Sequence, residues 1–189
     1  MIKDQYLRKI FAHPPMVAYR RTPRTSLREL LVQARLPAQP KRNPTRNNLG
    51  MKKCHKHACI VCPFIEEGRI ANSSSTAYSV KIKVPVNCET KNVIYLITCQ
   101  KPNCKKIQYI GETKRKFRDR FKQHISYIQN NQVDQPIGKH FNLPGHNLND
   151  LKVQIIEKCK SSSDMYRKVK ESEYIEKFNS KHAGLNKRL

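Results

Sequence analysis

The sequence is poor in acid: 189 residues hold 14 Asp and Glu against 38 Lys and Arg, for a formal net charge of +24 and a pI near 10.0. An imbalance of that size exceeds what solubility requires and attracts polyanions, so nucleic acid is the first partner to consider. Composition alone does not separate this from a ribosome-associated or histone-like basic protein. The chain also lacks an apolar run long enough to cross a membrane, and its start, MIKDQYLRKIF, lacks the apolar core of a secretion signal. No membrane partner is expected; a nuclear location suits a DNA-directed protein, although no segment forms a clean import signal. The seven cysteines are odd in number, and, with no secretory signal, cysteines grouped with histidines point to zinc rather than disulfides. Low hydrophobicity fits one compact domain plus an extension.

The chain is read as three stretches: a basic arm over 1–50, a Cys/His-rich segment with a strand over 51–87, and a compact domain over 88–189. The arm has eleven Lys or Arg, two acids and prolines at 14, 15, 23, 37, 40 and 44, leaving room for one short helix over Ser26 to Ala34. In the second stretch Cys54, Cys59 and Cys62 supply three thiolates, and Cys88 is the nearest fourth for a tetrahedral site. His55 or His57 could substitute. Ser73 to Ser75 reads as a loop, and Tyr78, Val80, Ile82 and Val84 alternate with polar residues as a half-buried strand.

The chain is organised around Asn92 to His124. Two β-like runs, Val93 to Thr98 and Ile107 to Ile110, each carry a tyrosine, and Gly111 is expected to let the backbone turn sharply after the second. Phe117, Phe121, Ile125 and Ile128 then have helical spacing, with Arg120 and His124 four apart on a neighbouring face. Tyr95, Tyr109, Arg120 and His124 can thus point into one cleft. Cys99-x4-Cys104 with His140-x5-His146 fits a Cys2His2 zinc site that pins the loop between the strands to a later loop. Leu151 to Ile156 reads as a third strand. Ser161 to Ser163 with Asp164 signals the start of a last helix, whose core stripe is expected at Met165, Val169, Ser172, Ile175 or Glu176, and Phe178 or Asn179. Glu171 falls near that stripe.

Val93-Ile94-Tyr95, Tyr109-Ile110-Gly111 and the Arg120/His124 pair resemble the GIY-YIG nucleases, in particular the endonuclease domain of Penelope-like retroelements. The Cys99/Cys104 insertion, Gly111-Glu112-Thr113, the run ending at His146 and Gly184-Leu185-Asn186 carry the likeness to that branch. It covers about half the chain, from residue 88 or so onward. Val93 stands where the family name has its first glycine, and the tyrosines lie 14 residues apart, wider than is usual because the cysteine loop intervenes. The resemblance implies an α+β fold with a short antiparallel three-stranded sheet flanked by helices, a zinc-stabilised insertion bound by the same four ligands, and the N-terminal arm as a linker. It also favours Glu171 over Glu173 and Glu176 as the acidic residue, and adds Asn186 to the site. No polymerase motif is visible.

The implied activity is metal-dependent nicking of DNA, with the element's RNA a further candidate partner. Glu171 would bind one Mg2+, and Arg120 would hold the scissile phosphate. The base is Tyr95 or Tyr109, if positive charge acidifies the phenol, or His124, whose ordinary pKa is near neutral. The rival reading is a zinc-stabilised nucleic-acid-binding module without catalysis.

Overall fold

The structure is a computed structural model that describes residues 49–186. Of the arm expected over 1–50, all but its last two residues lie outside that range, including the helix at Ser26 to Ala34. In chain order the described residues form β1 (Gly50–Met51), β2 (Ile70–Asn72), β3 (Ser79–Lys81), β4 (Pro85–Val86), β5 (Val93–Cys99), β6 (Gln108–Thr113), α1 (Phe117–Gln129), α2 (Pro136–Phe141), β7 (Leu151–Lys158) and α3 (Asp164–Lys177). Among them no helix is long and apolar enough to cross a membrane.

The expected antiparallel sheet forms in the order β6-β5-β7. Its central strand is buried at all seven positions, because both faces are covered, which explains a continuous apolar run in place of alternation. One face carries Val93, Tyr95, Ile97 and Cys99 and packs on Phe117, Phe121, Ile125 and Ile128 of α1 and on Ile137 and Phe141 of α2. The other carries Ile94 and Leu96 and packs on Tyr174 and Phe178 of α3 and its C-terminal end. Between Ile94 and Tyr95 the β5–β7 register shifts by a bulge, a device that re-aims side chains beside a site. The Cys/His-rich segment shares the first core through Met51, Val61, Ile65 and Cys88, and Ile65 bridges Val153 on the free side of β7.

Three local expectations are corrected. The strand expected from Tyr78 to Val84 stops at Lys81: Val80 packs on the second core while Ile82 enters the first, so the chain leaves the alternation, and Val84 is 38% exposed. Gly111 is no turn. It lies inside β6, directly across from Tyr95, and an added Cβ would stand 2.5 Å from the Tyr95 hydroxyl. The stripe of α3 is also different, since Met165 and Val169 are 73% and 49% exposed. Arg167 and Tyr174 are the buried positions of that helix. Its start has no side-chain cap from Ser163; instead the buried Arg167 guanidinium donates to the Ser162 carbonyl at 2.9 Å and pairs with Asp164.

Candidate active site and metal centres

The edge strand β6 organises the site. Its outward main-chain groups are closed by residues from the end of the described chain: Leu185 N–H donates to the Gln108 carbonyl. The Asn186 amide accepts from Ile110 N–H at 2.9 Å and donates to Ile110 C=O at 2.8 Å. Glu171 belongs to the same row, for the Glu112 main-chain N–H is one of the groups acting on its carboxylate. An exposed edge is thereby closed, and the residues that close it border a cleft of about 570 Å3 whose lining includes Tyr109, Gln135, Glu171, Ser172, His182 and Asn186. Asn186, with its amide engaged on both sides, positions the β6 edge.

On the α1 side, Tyr95 is the hub. Arg120 Nε donates to its hydroxyl oxygen at 3.1 Å, and the same hydroxyl is hydrogen-bonded to His124 Nε2 at 2.7 Å. The other ring nitrogen, Nδ1, is buried without a partner. Burial, reinforced by Arg120, pushes the His124 pKa down to about 3. The expectation of a near-neutral imidazole is thus corrected, since a ring 2% exposed pays heavily to ionise. Burial raises both phenols, and at both Arg120 opposes the rise. Tyr95 is wholly buried. Tyr109, its ring centroid 5.7 Å from that of His124, is the tyrosine that borders the cleft.

Of the three candidate glutamates, Glu173 is engaged by Lys170 at 2.8 Å, and Glu176 is exposed at the cleft rim. Glu171 differs: burial first, then the Glu112 carboxylate, raises its pKa from 4.5 to about 7. Glu112 is itself held by the buried Arg167 at 2.8 Å, one helical turn before Glu171. A carboxylate destabilised by burial and by a second carboxylate fits a cation, which would relieve both. Sequence reasoning missed Glu112 and Arg167 as the support of Glu171. The signal was the i, i+4 spacing of Arg167 and Glu171. It also missed Gln123, three residues after Arg120, whose amide oxygen accepts from the Arg120 guanidinium at 3.0 Å.

Two further clusters have the composition of metal sites. Cys54, Cys59, Cys62 and Cys88 converge, as do Cys99, Cys104, His140 and His146, each with all ligand atoms within 4.8 Å of one another. His55 and His57 are exposed and outside the first cluster. Sulfur separations of 3.5 Å for Cys54–Cys62 and 3.7 Å for Cys62–Cys88 are close to the ~3.8 Å edge of a tetrahedron with Zn–S bonds of about 2.3 Å. Burial raises Cys88. At Cys59 burial pushes the thiol up, but the main-chain N–H groups of Val61 and Cys62 and the neighbouring thiols bring it down to about 7. In the second cluster Cys104 Sγ lies 3.3 Å from His140 Nε2. Both ring nitrogens of His146 are buried without a partner, an arrangement a cation would satisfy. Burial, with His146 and Lys101 adding to it, holds His140 down at about 4, and burial raises Cys99 to about 11.

A family model described as the GIY-YIG catalytic domain matches residues 91–186. No curated protein and no solved structure matches the chain.

Proposed function

The chain belongs to the GIY-YIG family of nucleases, which act on nucleic acid, and on that premise we propose that it is a metal-dependent DNA endonuclease of a Penelope-like retroelement. The observation that carries the catalytic reading is the approach of Arg120 to Tyr109 and Glu171 beside the β6 edge, where its guanidinium acts on both the phenol and the carboxylate, while among the described residues Glu173 has an ion pair and Glu171 has none. The element assignment is supported by the cysteine pair Cys99 and Cys104 between the tyrosine strands and by their approach to His140 and His146. We assign those four residues, and separately the four-cysteine cluster, to structural zinc, and the nucleus as the place of action.

Glu171 would hold the catalytic Mg2+, which supplies charge relief and an activated water when bound. The protein's own contribution is positioning. Arg120, fixed by Tyr95 on one side and Gln123 on the other, meets the phosphoryl oxygens as they gain negative charge. Tyr95 and His124 act behind it: a neutral imidazole hydrogen-bonded to Tyr95 holds the phenol oxygen against Arg120, so that the guanidinium needs no reorganisation during the reaction. Tyr109 is the phenol placed to orient the attacking water, because it borders the cleft and Tyr95 does not. Asn186 fixes the main chain one residue after Tyr109. The remaining basic surface attracts DNA through phosphates with little base discrimination.

The test is relaxation of supercoiled plasmid with and without Mg2+. Parental protein should nick only with the metal, and Arg120→Ala should lose about a hundred- to a thousand-fold in rate while retaining DNA binding. Tight DNA binding with no nicking in any divalent metal would leave the reading of a zinc-stabilised binding module.

A further inference from the structure

The basic run that leads into α1 divides into two groups. Lys114 pairs with Asp164 at 3.8 Å, Lys116 with Glu89 at 3.0 Å and Arg118 with Glu89 at 2.7 Å. Arg115 and Arg120 differ, for among the described residues neither has a carboxylate at ion-pair distance. Instead both converge on one neutral acceptor: Gln123 Oε1 takes a hydrogen bond from Arg115 Nη2 at 2.8 Å and from Arg120 Nη1 at 3.0 Å. Sharing that oxygen keeps the two guanidinium nitrogens within about 6 Å of each other, which places like charges side by side without a counter-ion.

The backbone is fixed as well. Arg115 N–H donates to the hydroxyl of the buried Thr113 at 3.1 Å, and the first N–H groups of α1 are taken by the Thr90 and Cys88 carbonyls. The helix terminus therefore offers no competing anion site, and the anion-binding capacity is that of the two side chains. A guanidinium carries five donors, so each arginine keeps several after its bond to Gln123.

We propose that Arg115 and Arg120, joined by Gln123, form a clamp for two successive phosphates of one DNA strand, Arg120 on the scissile phosphate and Arg115 on its neighbour. This rests on the nuclease reading above and adds a second phosphate subsite to it. Gln123 is the positioning residue: as an amide it orders both cations without neutralising either, whereas a carboxylate at that position would compete with the DNA.

The experiment uses the full chain and a short duplex carrying a mapped nick site, with the phosphates flanking the scissile one replaced in turn by uncharged methylphosphonates. Arg115→Ala should raise KM about tenfold, with the loss falling on KM rather than kcat, and should reduce the salt slope of binding by about 0.9, the value of one phosphate contact. Gln123→Glu should weaken binding in the same sense. One methylphosphonate position should penalise the parental protein about tenfold and add nothing to the defect of Arg115→Ala. The clamp is overturned if that penalty is as large in Arg115→Ala as in the parental protein, or if Arg115→Ala is no worse than Lys158→Ala on the far edge strand. Should the parental protein fail to nick, the nuclease reading fails by itself; the same comparison made on Kd, across every phosphate of the duplex, then decides the clamp.

Discussion

At Gly111 a missing side chain matters as much as those present. The Tyr95 phenol, which orders Arg120, occupies the space a Cβ would need, with its hydroxyl at 2.5 Å and its ring carbon Cζ at 2.6 Å. Both partners are held by the sheet, so neither can yield easily. Gly111→Ala should destabilise the protein by about 1–3 kcal/mol in a denaturant titration. Because Tyr95 is displaced with it, nicking should fall further than the unfolded fraction explains. Glu171 presents the opposite case, a side chain that on the proposed reading serves the reaction at a cost to the fold. Its raised pKa means that the unfolded chain ionises near 4.5 while the folded protein does not until about 7. Stability associated with this group is therefore present below pH 4.5 and lost as pH rises through 7. Glu171→Gln removes the penalty, and at pH 8 without metal the variant should be more stable than the parent by about 1–3 kcal/mol, yet inactive in nicking. Equal stability of the two proteins at pH 8 would show that the carboxylate ionises there without strain.

At the scale of elements, what the sequence revealed followed periodicity and spacing. The strands at Val93, Gln108 and Leu151 and the helix at Phe117 were legible because β-branched runs and a 3.6-residue stripe are local signals. Both metal-type clusters were legible because soft ligands are rare and were grouped. The face of α3 was not, because its most buried side chain is Arg167 and two of its apolar residues, Met165 and Val169, face outward; a hydrophobic pattern cannot anticipate a buried cation satisfied by Glu112 from strand β6. The strand ending at Lys81 was overextended for a related reason, since residues that alternate in sequence were destined for two different cores. The four-cysteine cluster has a direct route to the site: the Cys88 carbonyl accepts from Arg118 N–H at 2.9 Å, two residues before Arg120. Two equivalents of zinc are expected by elemental analysis, falling by about one in Cys104→Ser and in Cys88→Ser. Chelation should lower the melting temperature by ~10 °C, equivalent to about 3 kcal/mol in a protein of this size. A melting curve unmoved by chelator would exclude a structural role for both clusters.

For the whole molecule, the dominant quantity is the net charge of +24. The proposed function assigns few of those charges to the reacting phosphate, so affinity and chemistry should separate. Between 50 and 200 mM salt, binding to random duplex should weaken by about a thousand-fold or more, and exchanging one random sequence for another at fixed salt should change it by less than about tenfold. A fluorescence-anisotropy salt series on two unrelated duplexes checks both. The edge closure of β6 has one more consequence, on the time axis. The Ile110 N–H is shielded from water by the Asn186 side chain and, among the described residues, by no neighbouring strand, so its hydrogen exchange clocks how often the segment around Asn186 lifts from the sheet. In Asn186→Ala that amide should exchange like a frayed edge while the amides bonded to β5 keep their protection, which makes a single spectroscopic signal a gauge of how often the cleft is fully assembled.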